Sequence, residues 1–196
     1  MSKNSLAILI PTFVGREKFL QRLLDVLMPQ IENYKDDVKL FILGDNRNMT
    51  TGWKRNKLTE MAIDAGCTHR CFCDDDDLVS INYLDLNMPG VYGDFDCNSL
   101  VGVYSVNGYT NPNKHLFYHS IKYDRWWDDD KGYYRNPNHI SCIKLSLIND
   151  IKFPDQSWGE DGKWSEALHA SGVLKNEYEI TEPFYYYLDR TKVNGI

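Results

Sequence analysis

Residues 69–77 read His-Arg-Cys-Phe-Cys-Asp-Asp-Asp-Asp, an apolar half-stretch running straight into four carboxylates. A short apolar run ending in polar residues is what a strand looks like when it is buried in a sheet and opens onto a ligand site at its carboxyl end. Two similar runs lie upstream. Residues 5–10 (Ser-Leu-Ala-Ile-Leu-Ile) are closed by Pro11-Thr12, and Val38 to Leu43 end at Gly44-Asp45. Between them, Phe19, Leu20, Leu23, Leu24, Leu27 and Ile31 recur at helical spacing across 16–31. Trp53, Leu58, Met61, Ala62 and Ala65 do so across 53–65, where Gly66 is placed to stop the helix. Strands alternating with helices predict an α/β fold with a parallel N-terminal half and right-handed crossovers.

Downstream of about residue 98 the pattern changes to alternating stretches, Leu100 to Val106 and Leu116 to Tyr123, joined by Gly, Asn and Pro turns. This half is expected to be antiparallel or mixed. A helix is predicted over 158–170 and a tyrosine-rich strand near 183–188. No internal repeat and no domain linker stand out among the 196 residues, so one domain spanning 1–196 is expected. Within it, 1–77 and 98–196 would form two functional halves.

Composition narrows the function. A net charge of −6 without a Lys/Arg cluster disfavours nucleic acid as a partner without excluding it. Five unevenly spaced cysteines suggest reduced thiols. No apolar run approaches the length of a membrane span and the N-terminus has no signal pattern, so a soluble, cytoplasmic protein is expected. Thirteen tyrosines and five tryptophans, many beside polar residues, could stack on sugars or bases, or simply pack half-buried.

The aspartate run carries the chemistry. Four adjacent carboxylates repel, and a bound cation relieves that repulsion; a solvated acidic turn before a helix capped by Ser80 is the alternative. In extended chain Asp74 and Asp76 would point one way and Asp75 and Asp77 the other. Such a pair suits magnesium or manganese completed by water and phosphate oxygens. An EF-hand is excluded, because the sixth residue from Asp74 is Val79. His69, Cys71 and Cys73 would lie in a row about 6.6 Å apart along a strand, which suits core packing better than zinc. Farther on, Ser157 and Glu160 have capping-box spacing, leaving Asp161 in a first helical turn, where the macrodipole favours its charged form and a role as proton acceptor.

Together, "ILIPTFVGREKFLQRLLDVLMPQ" (8–30), "FILGDN" (41–46), "FCDDDD" (72–77) and "FPDQSWGEDGKWSEAL" (153–168) resemble, in order, the family 2 glycosyltransferases and related GT-A enzymes. The resemblance covers roughly half the chain. It implies a GT-A, Rossmann-like mixed sheet whose parallel N-terminal half is flanked by helices. It further implies an inverting enzyme that takes a nucleotide diphosphate sugar, foremost a UDP-sugar, with Mn2+ or Mg2+.

By that resemblance Pro11, Thr12 and Arg16 border the nucleotide and Asp45 contacts the base. Lys54, Arg55 and Asn56 approach base or phosphates, unless they form a solvated helix face. Asp74 and Asp76 match the DXD motif that reaches ribose and metal, with Asp75 beside them at the nucleotide, and Asp161 matches the catalytic base. A late metal ligand has two candidates, His139 and His169, for which a packing or surface role is the alternative. His139 follows the turn Arg135-Asn136-Pro137-Asn138, which could face an acceptor. The loop from Arg125 to Gly132 either closes over sugar or acceptor or is an exposed turn with its tryptophans partly buried. A glycan is the expected acceptor, with a hydroxymethylated DNA base as an alternative. Two rival readings are a nucleotidyltransferase acting on a sugar phosphate and a catalytically inactive nucleotide-sugar-binding module. Neither the dinucleotide fingerprint nor a P-loop is present.

Overall fold

The computed structural model describes residues 4–106 and 108–189, so the expected domain limits at 1 and 196 lie outside the described residues. The N-terminal half follows the sequence pattern closely: β1 (Leu6–Phe13), α1 (Glu17–Asn33), β2 (Val38–Asp45), α2 (Thr51–Asp64) and β3 (His69–Phe72). Both β2 and β3 pair with β1 in parallel, with β1 between them. Residues Leu6 to Ile10 are fully buried, and their alternation feeds two cores. Leu6, Ile8 and Ile10 pack with Leu23 and Leu27 of α1, while Ala7 and Leu9 pack with Leu58 and Ala62 of α2. This is how a parallel sheet covered on both faces turns a continuous apolar run into two layers. Thr50 caps α2 by accepting the Trp53 N–H at 3.1 Å, and Gly66 ends it at φ +73°.

The chain then continues through β4 (Leu78–Val79), α3 (Tyr83–Tyr92), β5 (Cys97–Asn98), β6 (Leu100–Val106), β7 (Leu116–His119), β8 (Trp127–Asp128), β9 (Gly132–Arg135), β10 (Ile143–Lys144), α4 (Glu160–Ser171), β11 (Glu177–Tyr178) and β12 (Tyr185–Asp189). Among the described residues two six-stranded sheets form, ordered β11-β5-β10-β3-β1-β2 and β4-β12-β6-β7-β9-β8. The second is mixed, as expected: β6 pairs antiparallel with β7, while β12 with β6 and β7 with β9 are parallel. Its inward residues Val79, Leu100, Phe117 and Tyr185 enter the same core as Ile8 and Leu23.

Several sequence expectations are corrected. The strand expected to run to Tyr123 ends at His119. Ser80 does not cap α3; Asn82 occupies that position, and Ser80 contributes its carbonyl to the Tyr83 N–H. The helix expected from 158 begins at Glu160, after Gly159 in the left-handed region at φ +70°. The capping box does not form, because the Glu160 carboxylate turns inward to Arg55 and Ser157 Oγ faces the Thr51 N–H instead.

Candidate active site

Carboxylates with four different neighbourhoods follow β3. The strand stops at Phe72, and the chain turns so that the Asp77 N–H donates to the Asp74 carbonyl at 3.1 Å. Strict two-up, two-down alternation is therefore lost. Asp75 accepts from Thr12 Oγ1 at 2.6 Å and pairs with Arg16, and Asp76 meets the same guanidinium at 3.0 Å. Asp77 accepts from Tyr185 OH at 2.8 Å and from the Leu188 N–H at 2.9 Å, tying the run to β12. Asp74 faces the other way, toward α2 and His139.

Arg55 is the junction. Its Nη2 donates to both oxygens of Asp74, at 2.9 and 3.2 Å, and its Nε to Glu160 at 3.3 Å. The guanidinium is buried against the Phe72 and Phe153 rings. A buried charge needs such partners, and here the partners are the end of β3 and the start of α4. His139 makes the second link: Nε2 lies 3.2 Å from Asp74 and Nδ1 lies 3.9 Å from Asp161. Its carbonyl accepts from Arg70 at 2.7 Å. The preceding turn is bolted to α4, since Asn136 donates to the Ser165 carbonyl and Ser165 Oγ to the Pro137 carbonyl.

Asp74, Asp77, His139 and Asp161 thus line one cleft of about 310 Å³ at the carboxyl end of β3. Its far wall comes from the second sheet: Tyr104, Phe117, His119, Tyr133, Arg135 and Tyr187. Trp126 lines it as well, whereas Trp127 turns outward and stacks on Tyr134 at 4.0 Å, so the 125–132 segment, the β8–β9 hairpin, divides between cleft and surface.

The remaining predicted residues separate into two groups. Asp45 accepts from Lys54 at 2.8 Å, and Lys54 also donates to the Thr12 carbonyl, so both stand beside the end of β1. Phe13 has no place in the sequence reading, yet Arg16, Arg47 and Lys54 gather around its ring at 4.7, 4.4 and 5.6 Å. Pro11 is buried in β1 opposite Leu43. Asn56 is turned away from the cleft, exchanging two hydrogen bonds with the Phe153 backbone at 2.8 and 2.9 Å. His169 is exposed in the last turn of α4, away from the residues around Asp74. His69, Cys71 and Cys73 are buried, as expected of packing residues.

The electrostatics separate the carboxylates. Burial works against charge on Asp74, but Arg55 and then His139 outweigh it and hold its carboxyl well below the usual range. Burial, reinforced by neighbouring carboxylates, raises Asp76 despite Arg16, and raises Asp77 far more. Burial also lowers His119 to about 3, which keeps it a neutral imidazole. Asp74, Asp76 and His139 are suitable donors for a hard or borderline divalent ion, and the surplus of carboxylates favours a cation. Among the described residues no three His, Cys, Asp or Glu side chains converge into a ready-made cage. Such an ion would need oxygens from a ligand, as magnesium and manganese commonly do with phosphates.

No protein-family model and no curated protein matches the chain by sequence. Solved structures share its fold. S. aureus TarS 1-349 in complex with UDP-GlcNAc aligns with a TM-score of 0.60 at 16% identity, over 95% of this chain and 59% of that one. The catalytic domain of Drosophila β1,4-galactosyltransferase 7 in complex with xylobiose aligns at 0.51 and 13%, over 92% and 67%. The chain spans about three fifths of the TarS 1-349 length. With two mixed sheets and flanking helices, the fold is GT-A-like.

Proposed function

We propose that the chain is a metal-dependent, inverting glycosyltransferase that moves a sugar from a nucleotide diphosphate sugar, foremost a UDP-sugar, to a hydroxyl acceptor. The observation that carries this reading is the placement of Asp74 and Asp161 on either side of His139, at 3.2 and 3.9 Å, in one open cleft. The UDP-GlcNAc held by TarS supports the donor class.

In this reading Thr12, Arg16, Asp45 and Lys54 border the nucleotide, with the Phe13 ring and its three cations alongside. Asp74, Asp76 and His139 would hold Mn2+ or Mg2+ together with oxygens from the ligand and water. A bound divalent ion would offset charge developing on the diphosphate as the glycosidic bond breaks. Asp161, about a third exposed, accepts the proton of the acceptor hydroxyl as that oxygen attacks the anomeric carbon from the opposite face, so configuration inverts. Arg55 keeps Asp74 ionised and, through its pair with Glu160, holds the first turn of α4 against the end of β3, which fixes where Asp161 stands. Five free, buried cysteines accord with a reducing compartment such as the cytoplasm, and no helix among the described residues is long and apolar enough to cross a membrane.

The test is turnover of a UDP-sugar panel with manganese, wild type against Asp161→Asn. Removal of a general base should cost on the order of 100-fold or more in transfer while UDP affinity is retained. Full transfer by Asp161→Asn would remove the base assignment. Pyrophosphate release from a nucleoside triphosphate, without UDP-sugar turnover, would replace the whole reading with nucleotidyl transfer.

A further inference from the structure

Among the described residues Arg135 is a cation of the cleft with no ion pair. Alternation along β9 places Tyr133 and Arg135 toward the cleft while Tyr134 stacks with Trp127 outside it. The guanidinium lies over the Trp126 ring at 4.6 Å and near the Tyr133 ring at 6.0 Å. Among the described residues its one hydrogen bond is a long 3.4 Å contact to the Tyr134 carbonyl, and no carboxylate pairs with it. Asp128, the nearby acid, is taken by Lys114 at 2.5 Å.

Other arginines of this region are spent. Arg16 pairs with Asp75 and Asp76, and Arg55 with Asp74 and Glu160. Arg70 also lacks a carboxylate, but it is sealed between the Phe72 and Trp164 rings and reaches no ligand space. Arg135 is only partly buried and lines the cleft. Burial lowers its pKa, and the nearby Asp128, Tyr133 and Asp161 offset that only in part, so the charge is held there against a desolvation penalty that no ion pair closes.

With its faces on aromatic rings, a guanidinium presents its edge: a planar fork of N–H donors matched to two oxygens of one anion. Trp126 places that fork beside the reacting end, for its ring edge lies 3.8 Å from where a Cβ on Gly162, next to Asp161, would stand. Of the other carboxylates lining the cleft, Asp77 is engaged by Tyr185 and Leu188 and Asp189 by Tyr104 OH at 2.7 Å, while Asp161 acts on Arg135 through its field without forming an ion pair with it. Across the β7–β9 register from Arg135 stands His119, whose Nδ1 is buried without a hydrogen bond.

We infer that Arg135 is an oxyanion receptor for the acceptor, which therefore carries a carboxylate or phosphate close to its attacking hydroxyl. This rests on the transferase reading above. A neutral glycan would displace water from the fork and leave it empty-handed.

Tryptophan fluorescence reads the site, because Trp126 covers the guanidinium. Wild-type protein with manganese and UDP is titrated with glucuronate, glucose 6-phosphate and glucose. Saturable binding of one or both anions, at least tenfold tighter than glucose, is expected, and which anion binds better distinguishes carboxylate from phosphate. Arg135→Met should weaken that binding at least tenfold and Arg135→Lys less. UDP affinity of Arg135→Lys, measured by calorimetry, should stay within twofold of wild type. Equal binding of glucose, or anion binding that survives Arg135→Met, overturns the inference. So does competition between the anions and UDP, which would give Arg135 to the donor diphosphate. If the anions bind but neither UDP nor any UDP-sugar does, the transferase reading falls and takes the acceptor assignment with it.

Discussion

The two sheets meet at one cleft but are made of different material. In the first, Leu6 to Ile10 and His69 to Cys73 are buried, and the charges at its edge are matched: Arg55 with Asp74 and Glu160, Arg16 with Asp75 and Asp76, Lys54 with Asp45. In the second, Tyr104, Tyr133 and Tyr187 face the cleft as partly exposed rings, and Arg135 has no ion pair among the described residues. One side is a network of ion pairs that fixes geometry, although buried donors of Arg55 and Arg70 are left over inside it, and the other is a wall whose arginine has no ion pair among the described residues. Under the proposed transfer reaction that division would suit a two-substrate site, with a pre-organised donor side and an acceptor side whose last contacts come from the ligand.

The sharpest way to break this contrast is to remove one arginine from each side. Arg55→Met leaves the buried Glu160 and the half-buried Asp74 without their shared cation and is expected to cost about 3–5 kcal/mol in urea unfolding. Arg135→Met empties no ion pair and should cost less than about 1 kcal/mol. Equal losses would mean that the two sides are not differently built.

A smaller effect separates two glycines. A Cβ on Gly52 would stand 1.9 Å from the Pro154 carbonyl, so α2 and the segment leading to α4 could not keep their contact. On Gly102 it would stand 2.1 Å from the buried Phe117 ring, a side chain rather than backbone. Gly52→Ala should lower stability by about 1–3 kcal/mol and Gly102→Ala by less, read from thermal and urea unfolding. The reverse order would place the rigid contact on the second sheet.

The smallest expected effect is in pH dependence. Burial raises Asp77, so the folded chain binds that proton more tightly than the unfolded one. Stability from this group is therefore fully present below the ordinary carboxylate pKa of about 4 and declines as pH rises toward the raised value. Asp74 has the opposite sign: its pKa is depressed, and its contribution is present above about 4 and lost as pH falls below it. Asp77→Asn should flatten the decline on the neutral side and leave the acid limb, set by Asp74, in place. Unfolding across pH 3–8 checks this, and an unchanged neutral limb would contradict it.

The sequence made the first sheet legible because each of its features is local. Apolar runs of strand length, helices of period 3.6 and the stop at Gly66 need no knowledge of distant residues. Asp74 and Asp161 were visible by the same logic, as carboxylates at element ends. The second sheet was read only in part, because β4 and β8, like β5, β10 and β11 of the first, are two residues long and exist through pairing with remote strands. Glu160 shows the same limit at one residue: its spacing from Ser157 fits a capping box, and only the fold brings Arg55 within 3.3 Å to claim it. Arg135 appeared as part of a turn, since the alternation that aims it at the cleft has meaning only once β9 is paired with β7.

The central claim is a donor site organised by the aspartate run. Calorimetry of UDP and UDP-sugars, with manganese and with chelator, on wild type and Asp76→Ala tests it most directly. The account predicts metal-dependent binding in the wild type that is lost in the variant. Binding that is indifferent to both metal and Asp76, or no binding of any UDP ligand, would contradict it.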